Sequence, residues 1–136
     1  MIAFGGEGMG TSFDDGARYC FANDTWAPLS PKGAPSSRTG HAAVWMGTEM
    51  FIWGGVNDAQ TSGVGDPTRY LGTGARYNPA TDTWTEITMT GAPSPRLTSG
   101  VWTGDGLLTF GGYNGTHFND TWFYSPQRTL YPYAKQ

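Results

Sequence analysis

Short runs of apolar and β-branched residues alternate along the chain with turns rich in Gly, Pro, Asn and Asp. Such runs, bounded by turn residues, are typical of β-strands. No segment keeps apolar residues at helical spacing over several turns, so we expect almost no helix. The pattern predicts eleven strands, at residues 1–4, 17–21, 25–29, 40–46, 50–53, 75–78, 83–88, 98–103, 107–110, 120–124 and 128–133.

Three of the predicted strands run into a Gly-Gly doublet, and these doublets mark an internal repeat. They are Gly5-Gly6, Gly54-Gly55 and Gly111-Gly112, separated by 49 and then 57 residues. Trp26 and Trp84 lie 58 residues apart, and so do Arg38 and Arg96. A period of roughly 50 residues, with Gly-Gly after one strand and aromatic residues later in the unit, is typical of a β-propeller blade.

On these markers the chain resembles the kelch repeat family along nearly its whole length, in the manner of the C-terminal portion of a bacterial kelch protein. The resemblance implies an all-β fold of about three four-stranded antiparallel blades of a kelch β-propeller. We assign residues 1–30 to an incomplete blade without its innermost strand, 31–89 to a full blade and 90–136 to the last blade. We expect Trp26 and Trp84 to fill the gaps between adjacent blades.

The predicted blades are too few to close a ring, since propellers typically combine about four to eight of them. An open array would expose apolar faces at both ends. Two explanations stay open: the chain is part of a longer propeller, or copies of it assemble around an axis. We favour assembly, in which two copies form a homodimer that completes a six-bladed ring.

Composition narrows the range of partners. Charged residues make up 14% of the chain and its net charge is −3, so there is no basic stripe for nucleic acid. No apolar run approaches the roughly 18 residues of a membrane span, and the first residues do not resemble a signal peptide. We therefore expect neither nucleic acid nor membrane as a partner. Cys20 is the single cysteine, and we expect it to be buried as a small apolar residue.

The sequence offers little for catalysis. The two histidines, His41 and His117, occupy different positions of the repeat and suggest neither a Ser-His-Asp set nor a metal site. His41 stands where kelch units often carry histidine, which implies a packing or hydrogen-bonding role. The chain resembles the kelch enzyme galactose oxidase only in the repeat. We expect no catalytic residue, no metal and no cofactor.

Polar residues concentrate in the connections between the second and third strands of each blade, at 7–16, 56–73 and 113–119. The resemblance places them on one face with the connections between blades, 30–39 and 90–97. Connections on a rigid scaffold frequently bind ligands. The candidate ligand-binding residues are Arg38, Asp58, Arg69, Tyr70, Arg96, Tyr113 and His117, and the longest connection adds Asn57, Gln60 and Asp66 for a sugar or an acidic peptide.

Arg38 and Arg96 admit two interpretations. Their guanidinium groups could face one ligand, since arginine suits carboxylate recognition. They could instead brace neighbouring blades through backbone carbonyls or an acidic turn, and their repetition favours this role.

Three hypotheses for function follow. The favoured one is a non-catalytic module that binds a protein or carbohydrate. The second is a carbohydrate-active enzyme similar to the kelch sialic-acid mutarotases, which would need Arg, Glu and His together on one face. The third is a fragment without a retained ligand, and fold analogy alone does not choose among them.

Overall fold

A computed structural model describes residues 1–58, 66–87, 91–125 and 128–132, the last range by its backbone alone. These ranges include a 3₁₀ turn at Pro67–Arg69 and no helix long and apolar enough to cross a membrane. The strands are β1 (Ile2–Phe4), β2 (Glu7–Gly8), β3 (Thr11–Ser12), β4 (Gly16–Cys20), β5 (Thr25–Pro28), β6 (Ala42–Trp45), β7 (Met50–Trp53), β8 (Gly74–Asn78), β9 (Thr83–Glu86), β10 (Gly100–Trp102), β11 (Leu107–Tyr113), β12 (His117–Ser125) and β13 (Arg128–Pro132).

The strands form three antiparallel sheets and one small hairpin. The first sheet has the order β1-β4-β5, the second β6-β7-β8-β9 and the third β10-β11-β12-β13, while β2 pairs with β3 alone. The prediction of an all-β fold with a three-stranded first blade and two four-stranded blades is confirmed. All eleven predicted strands are present, β7 with the predicted ends and the others with shifted ends, and the hairpin β2–β3 was not predicted.

Each pair of neighbouring sheets encloses an apolar core. Between the first and second sheets, Phe4 and Leu29 pack with Met50, Ile52, Ala75, Tyr77 and Trp84. Between the second and third sheets, the core contains Phe51, Trp53, Ile87 and Leu107. Strand β7 is therefore buried on both faces, which explains why Met50–Trp53 is uninterrupted by polar residues. Burial of each large side chain stabilises the packing by about 2 to 3 kcal/mol.

Two predictions about buried residues are wrong. Trp84 lies between sheets and donates its indole N–H to the Ser30 carbonyl at 2.9 Å. Its repeat equivalent Trp26, however, is 52% exposed. Trp26 belongs to β5, and its side chain lies on the face of the first sheet that no other described sheet covers. Cys20 is exposed rather than buried, since it ends β4 beside the turn that leads to β5.

The Gly-Gly doublets adopt backbone angles that favour glycine. At Gly54 and Gly55 φ is 74° and 95°, and at Gly111 and Gly112 it is 64° and 117°. A side chain would also collide with a connection between sheets, because a Cβ on Gly55 would lie 2.7 Å from the carbonyl oxygen of Thr39, in the connection between the first and second sheets. The doublets thus allow the backbone to approach a neighbouring segment closely.

Arg38 is completely buried and links two sheets through the backbone. Its carbonyl accepts from the Gly6 amide at 2.9 Å, and its Nη1 donates to the carbonyls of Gly54 and Thr73 at 3.0 and 2.9 Å. Its Nε donates to the Ser36 carbonyl at 2.9 Å. Burial lowers the pKa of Arg38 to about 10, so the guanidinium remains charged at neutral pH.

Arg96 repeats this arrangement one sheet further along. Its carbonyl accepts from the Gly55 amide at 2.8 Å, and its Nη1 donates to the Gly111 carbonyl at 3.0 Å. The guanidinium also pairs with both carboxylate oxygens of Asp120, at 2.5 and 3.1 Å, and stacks 3.7 Å from the centre of the Phe118 ring. Arg38 and Arg96 therefore brace neighbouring sheets, the second of the two interpretations, and their buried guanidinium groups lack the accessibility that the prediction of ligand binding requires.

His41 is partly buried and packs against the first core, next to the first brace. Its ring meets Phe4 edge to face, with centroids 6.3 Å apart. Burial, with a smaller contribution from the positive charge of Arg38, lowers the pKa of His41 to about 4. The imidazole is consequently neutral in the folded chain at pH values where an exposed histidine would begin to take up a proton.

Replacing Arg38 tests the brace. We predict that Arg38→Lys lowers the free energy of unfolding by about 2 to 4 kcal/mol, because lysine cannot reproduce the fork and leaves buried carbonyls unpaired. Urea denaturation measures the change. The matched control is Arg76→Lys, which alters a partly exposed ion pair with Glu49 at 3.2 Å and should cost less than about 1 kcal/mol. Equal stability of the two variants would contradict the brace.

The buried imidazole predicts a pH dependence of stability. Between pH 6.5 and 4 the unfolded chain protonates His41 while the folded chain does not, so the free energy of unfolding decreases as the pH falls. We expect this residue to account for about 2 kcal/mol of that decrease. Denaturation at pH 7, 5.5 and 4 should show a shallower loss for His41→Gln than for the unsubstituted chain. His117→Gln, which replaces the other histidine, should keep the full loss.

Candidate functional site

One end of the sheets, which we call the loop end, gathers the connections that follow β1, β7 and β11. Isolated bridges join connections between sheets to this end, since Thr39 pairs with Val56 and Leu97 with Tyr113. Val56 also pairs with Tyr70 inside the connection that follows β7. Two of these bridges begin at the residue after a bracing arginine. The braces therefore fix the positions of the segments that carry the candidate residues.

Asp58 joins the hairpin β2–β3 to the connection that follows β7 at the loop end. The Ser12 hydroxyl donates to Asp58 Oδ2 at 3.1 Å, and the Asp58 amide donates back to the Ser12 oxygen at 3.1 Å. Arg69 Nη2 donates to Asp58 Oδ1 in a close ion pair. The side chains of Asp58 and Arg69 are 16% and 23% exposed, so both remain accessible at one side.

The 3₁₀ turn at Pro67–Arg69 sets the position of Arg69. Asp66 precedes the turn, and its carboxylate accepts from the Thr68 amide at 2.8 Å and from the Thr68 hydroxyl at 2.7 Å. Pro67 suits the first position of such a turn because its φ is already restricted. The Arg69 carbonyl accepts from the Asn57 amide at 2.9 Å. This hydrogen bond joins the later part of the connection to its beginning.

Aromatic rings continue the site toward the third sheet. The Arg69 guanidinium lies 5.9 Å from the centre of the Tyr70 ring. Tyr70 meets Tyr113 edge to face at 6.1 Å, and Tyr113 lies 4.9 Å from the His117 ring. Tyr113 and His117 are exposed. They pair directly across the β11–β12 hairpin, so His117 begins a strand, and the prediction that it lies in a loop is wrong.

Five of the seven predicted residues thus form one contiguous row, which we call the loop-end row: Asp58, Arg69, Tyr70, Tyr113 and His117. Arg38 and Arg96 are excluded from it because their side chains are 0% and 1% exposed. Asn57 is buried, Asp66 orders the 3₁₀ turn, and Gln60 lies outside the described residues.

Sequence reasoning missed the hairpin β2–β3, which borders the row through Ser12. Its two turn residues, Met9 and Gly10, have φ of 52° and 76°, the angles of the tight hairpin turn that fits twisted strands. The glycines at positions 8 and 10 were the available signal. The turn leaves the Met9 side chain fully exposed and Phe13 43% exposed, so apolar groups flank the polar row.

The row is chemically suited to recognition. It offers guanidinium and imidazole nitrogens, phenol groups and two aromatic rings, while its one carboxylate is already bound by Ser12 and Arg69. In the part of the chain that the structure describes, no three His, Cys, Asp or Glu side chains are grouped to hold a metal ion.

Two apolar faces lie away from the loop end. The outer face of the first sheet exposes Trp26, which packs only on Tyr19 among the described rings, with centroids 5.2 Å apart. The outer face of the third sheet exposes Phe110 at 63%. Exposed apolar faces of this kind commonly mark interaction surfaces.

Comparison with known proteins agrees with this architecture. The KLHDC2/KLHL20/DRC7 Kelch-repeats domain matches residues 1–132. The chain is similar to human Kelch domain-containing protein 3, 29% identical over 122 residues, which are 79% of this chain and 32% of that protein. It is also similar to Acyl-CoA-binding domain-containing protein 4 of Arabidopsis thaliana, 30% identical over 128 residues, 88% of this chain and 18% of that protein.

The chain therefore spans about a third or less of the length of these relatives. The family match, in contrast, covers nearly all of the chain, including every Gly-Gly doublet and both bracing arginines. Repeat, sheet topology and family match agree, and the chain belongs to the kelch-repeat family.

Proposed function

We propose that this chain is a non-catalytic interaction module that binds a partner polypeptide through the loop-end row. The observation that carries the proposal is the continuity of the row from the connection that follows β7 to the β11–β12 hairpin. Tyr, Arg and Met are enriched in the centres of protein interfaces, and all three types lie here. Membership of the kelch-repeat family supports a protein-interaction role at this coarse level.

The row would act as a preorganised surface. Asp58 holds Arg69 beside Tyr70, so the guanidinium loses little conformational freedom when a partner binds. Met9 and Phe13 offer apolar contact area at one end, and Tyr113 and His117 offer mixed contacts at the other. A peptide with an apolar residue near the hairpin and acceptors along the row fits this distribution.

A mutarotase-like enzyme receives less support from the geometry. Such an enzyme would need Arg, Glu and His side chains that converge on a ligand. Arg38 and Arg96 donate instead to backbone carbonyls inside the molecule, and His117 stacks on Tyr113. A glycan array separates a carbohydrate-binding module from a peptide-binding one.

Peptide selection tests the row. We predict that a displayed library of random peptides, selected on the chain, yields peptides whose affinity falls at least tenfold, about 1.4 kcal/mol or more, in Tyr113→Ala. Tyr113 is 37% exposed, so its truncation should leave folding intact. Asp105→Ala, in the exposed turn between β10 and β11, is the matched control and should bind like the unsubstituted chain.

Three results would contradict this site. Equal loss of affinity in the Tyr113 and Asp105 variants would place binding elsewhere or indicate misfolding. Binding of glycans but not of peptides would favour the carbohydrate alternative. Enrichment of neither would favour a fragment without a ligand.

We also propose that two copies close a six-bladed ring through the outer faces. The support comes from the repeat, because each exposed residue corresponds to one that is buried between sheets inside the chain. Trp26 corresponds to Trp84, which is 9% exposed. Phe110 corresponds to Trp53, which is 2% exposed, since each is the residue directly before a Gly-Gly doublet. The first sheet of one copy would then meet the third sheet of the other, twice per dimer.

The ring predicts a particular pattern of association. Light scattering after size exclusion should give a dimer mass for the unsubstituted chain and a monomer mass for Trp26→Arg and for Phe110→Arg, because each variant disrupts both contacts. A mixture of the two variants should recover dimers, since one contact then joins two unsubstituted faces. Met9→Arg, at an exposed position away from both faces, is the control and should remain dimeric. A monomeric unsubstituted chain, or no recovery on mixing, would overturn the ring.

A further inference from the structure

Strand β1 carries an edge that no strand of the described chain pairs with. It bonds to β4 on one side only, whereas β7 and β11, which also run into Gly-Gly, have partners on both sides. In the second sheet the additional partner is β6, and in the third sheet it is β10. The first sheet thus repeats the arrangement of the other two without one strand.

The free edge presents hydrogen-bonding groups at known residues. The Tyr19 amide donates to the Met1 carbonyl at 2.8 Å, and the Gly5 amide donates to the Asp15 carbonyl at 2.8 Å, so odd-numbered residues of β1 bond toward β4. Alternate residues of an antiparallel strand direct their amides and carbonyls to opposite sides. Ile2 and Phe4 therefore point theirs at the free edge.

A groove of about 480 Å³ runs beside this edge. Its walls are mainly apolar, with Met1 and Ile2 on one side and Ala43 and Trp45 on the other, and Arg18 and Tyr19 also line it. The groove continues into the core between the first and second sheets, since Met50 lines it and belongs to that core. It is therefore an extension of an existing sheet interface.

Trp45 is more exposed than the equivalent tryptophan of the third sheet. It corresponds to Trp102, and both tryptophans follow a valine at the end of the innermost strand. Trp102 is partly buried and packs against the core between the second and third sheets, where β10 lies beside β6. Trp45 faces the groove instead and is 49% exposed. A strand along β1 would cover it.

The second and third sheets specify the strand that fits. Val44 lies opposite Phe51 and Trp45 opposite Met50, and Val101 lies opposite Leu108 and Trp102 opposite Leu107. The residue before the valine is small in both strands, Ala43 or Gly100. Counted back from the doublets, the position of Phe51 and Leu108 is that of Ile2 in β1.

We propose that the free edge of β1 binds an extended segment of another polypeptide as an antiparallel fourth strand, with a small residue followed by Val-Trp. The valine lies opposite Ile2 and the tryptophan opposite Met1. Strand addition of this kind takes affinity from backbone hydrogen bonds and specificity from alternate side chains. The site is separate from the loop-end row. A two-copy ring of the described strands leaves this edge unpaired, so the proposal does not depend on that ring.

A peptide with the sequence of residues 40–47, Gly-His-Ala-Ala-Val-Trp-Met-Gly, is the probe. Added to the unsubstituted chain, it should bind with one peptide per chain, measured by calorimetry. Amide hydrogen exchange, followed by NMR, should slow at Ile2 and Phe4. The Ala3 amide, which already points toward β4, is the internal reference and should change little.

Backbone methylation supplies a matched pair of control peptides. The Met46 amide donates to the Glu49 carbonyl at 2.8 Å, so even-numbered residues of β6 bond toward β7. Methylation of the peptide nitrogen at the Val44 position should weaken binding about tenfold or more, because it removes a hydrogen bond and crowds the edge. Methylation at the Ala43 position, whose amide points away, should change affinity less than about twofold.

Each other outcome contradicts the proposal. Equal effects of the two methylated peptides would show that the peptide does not add as a strand in this register. Protection of the Ile2 and Phe4 amides before any peptide is added would show that the chain or a second copy already occupies the edge. No binding, with both amides exchanging freely, would show that the edge does not accept this strand.

Discussion

A buried guanidinium that reaches from one sheet to the next is the interaction on which the rest of this structure depends. The Arg38 carbonyl accepts from the amide of Gly6 in the first repeat, and its side chain donates to the carbonyl of Gly54 in the second. Arg96 repeats the link from Gly55 to Gly111. A buried charge is tolerated only when its donors are satisfied, so the carbonyls must come very close. Glycine at the doublets permits that approach.

The braces also explain why candidate residues from the second and third sheets lie side by side. Thr39 and Leu97, the residues after the arginines, pair with Val56 and Tyr113 at the loop end. The segments that carry Asp58, Arg69, Tyr70, Tyr113 and His117 are thereby held to the scaffold at fixed points. A recognition surface of this kind needs little ordering when it binds, which favours affinity. No residue of the loop-end row belongs to either core between the sheets. Effects of substitutions on stability and on binding can therefore be measured separately.

The braces do not cover the outer faces of the first and third sheets. Packing between sheets is repeated twice inside the chain, and these faces expose side chains whose repeat equivalents are buried in that packing. The outer faces present Trp26 and Phe110, and the edge of β1 presents the backbone groups of Ile2 and Phe4. The packing between sheets inside the chain therefore predicts how a second copy would dock. The strand pairing inside the second and third sheets predicts which peptide strand would pair with β1.

The strands, the repeat and the family could be predicted from the order of residues alone, because they depend on neighbouring residues and on markers that recur at a similar step. The same order indicated the five residues that form the loop-end row. The enclosure of Arg38 and Arg96, the exposure of Trp26 and Cys20, and the position of His117 at the start of a strand became visible only in the folded chain. The Ser12–Asp58 hydrogen bonds likewise join residues 46 positions apart. Burial and such contacts depend on which sheets pack together, and equivalent positions of a repeat share a local pattern even where their neighbours differ.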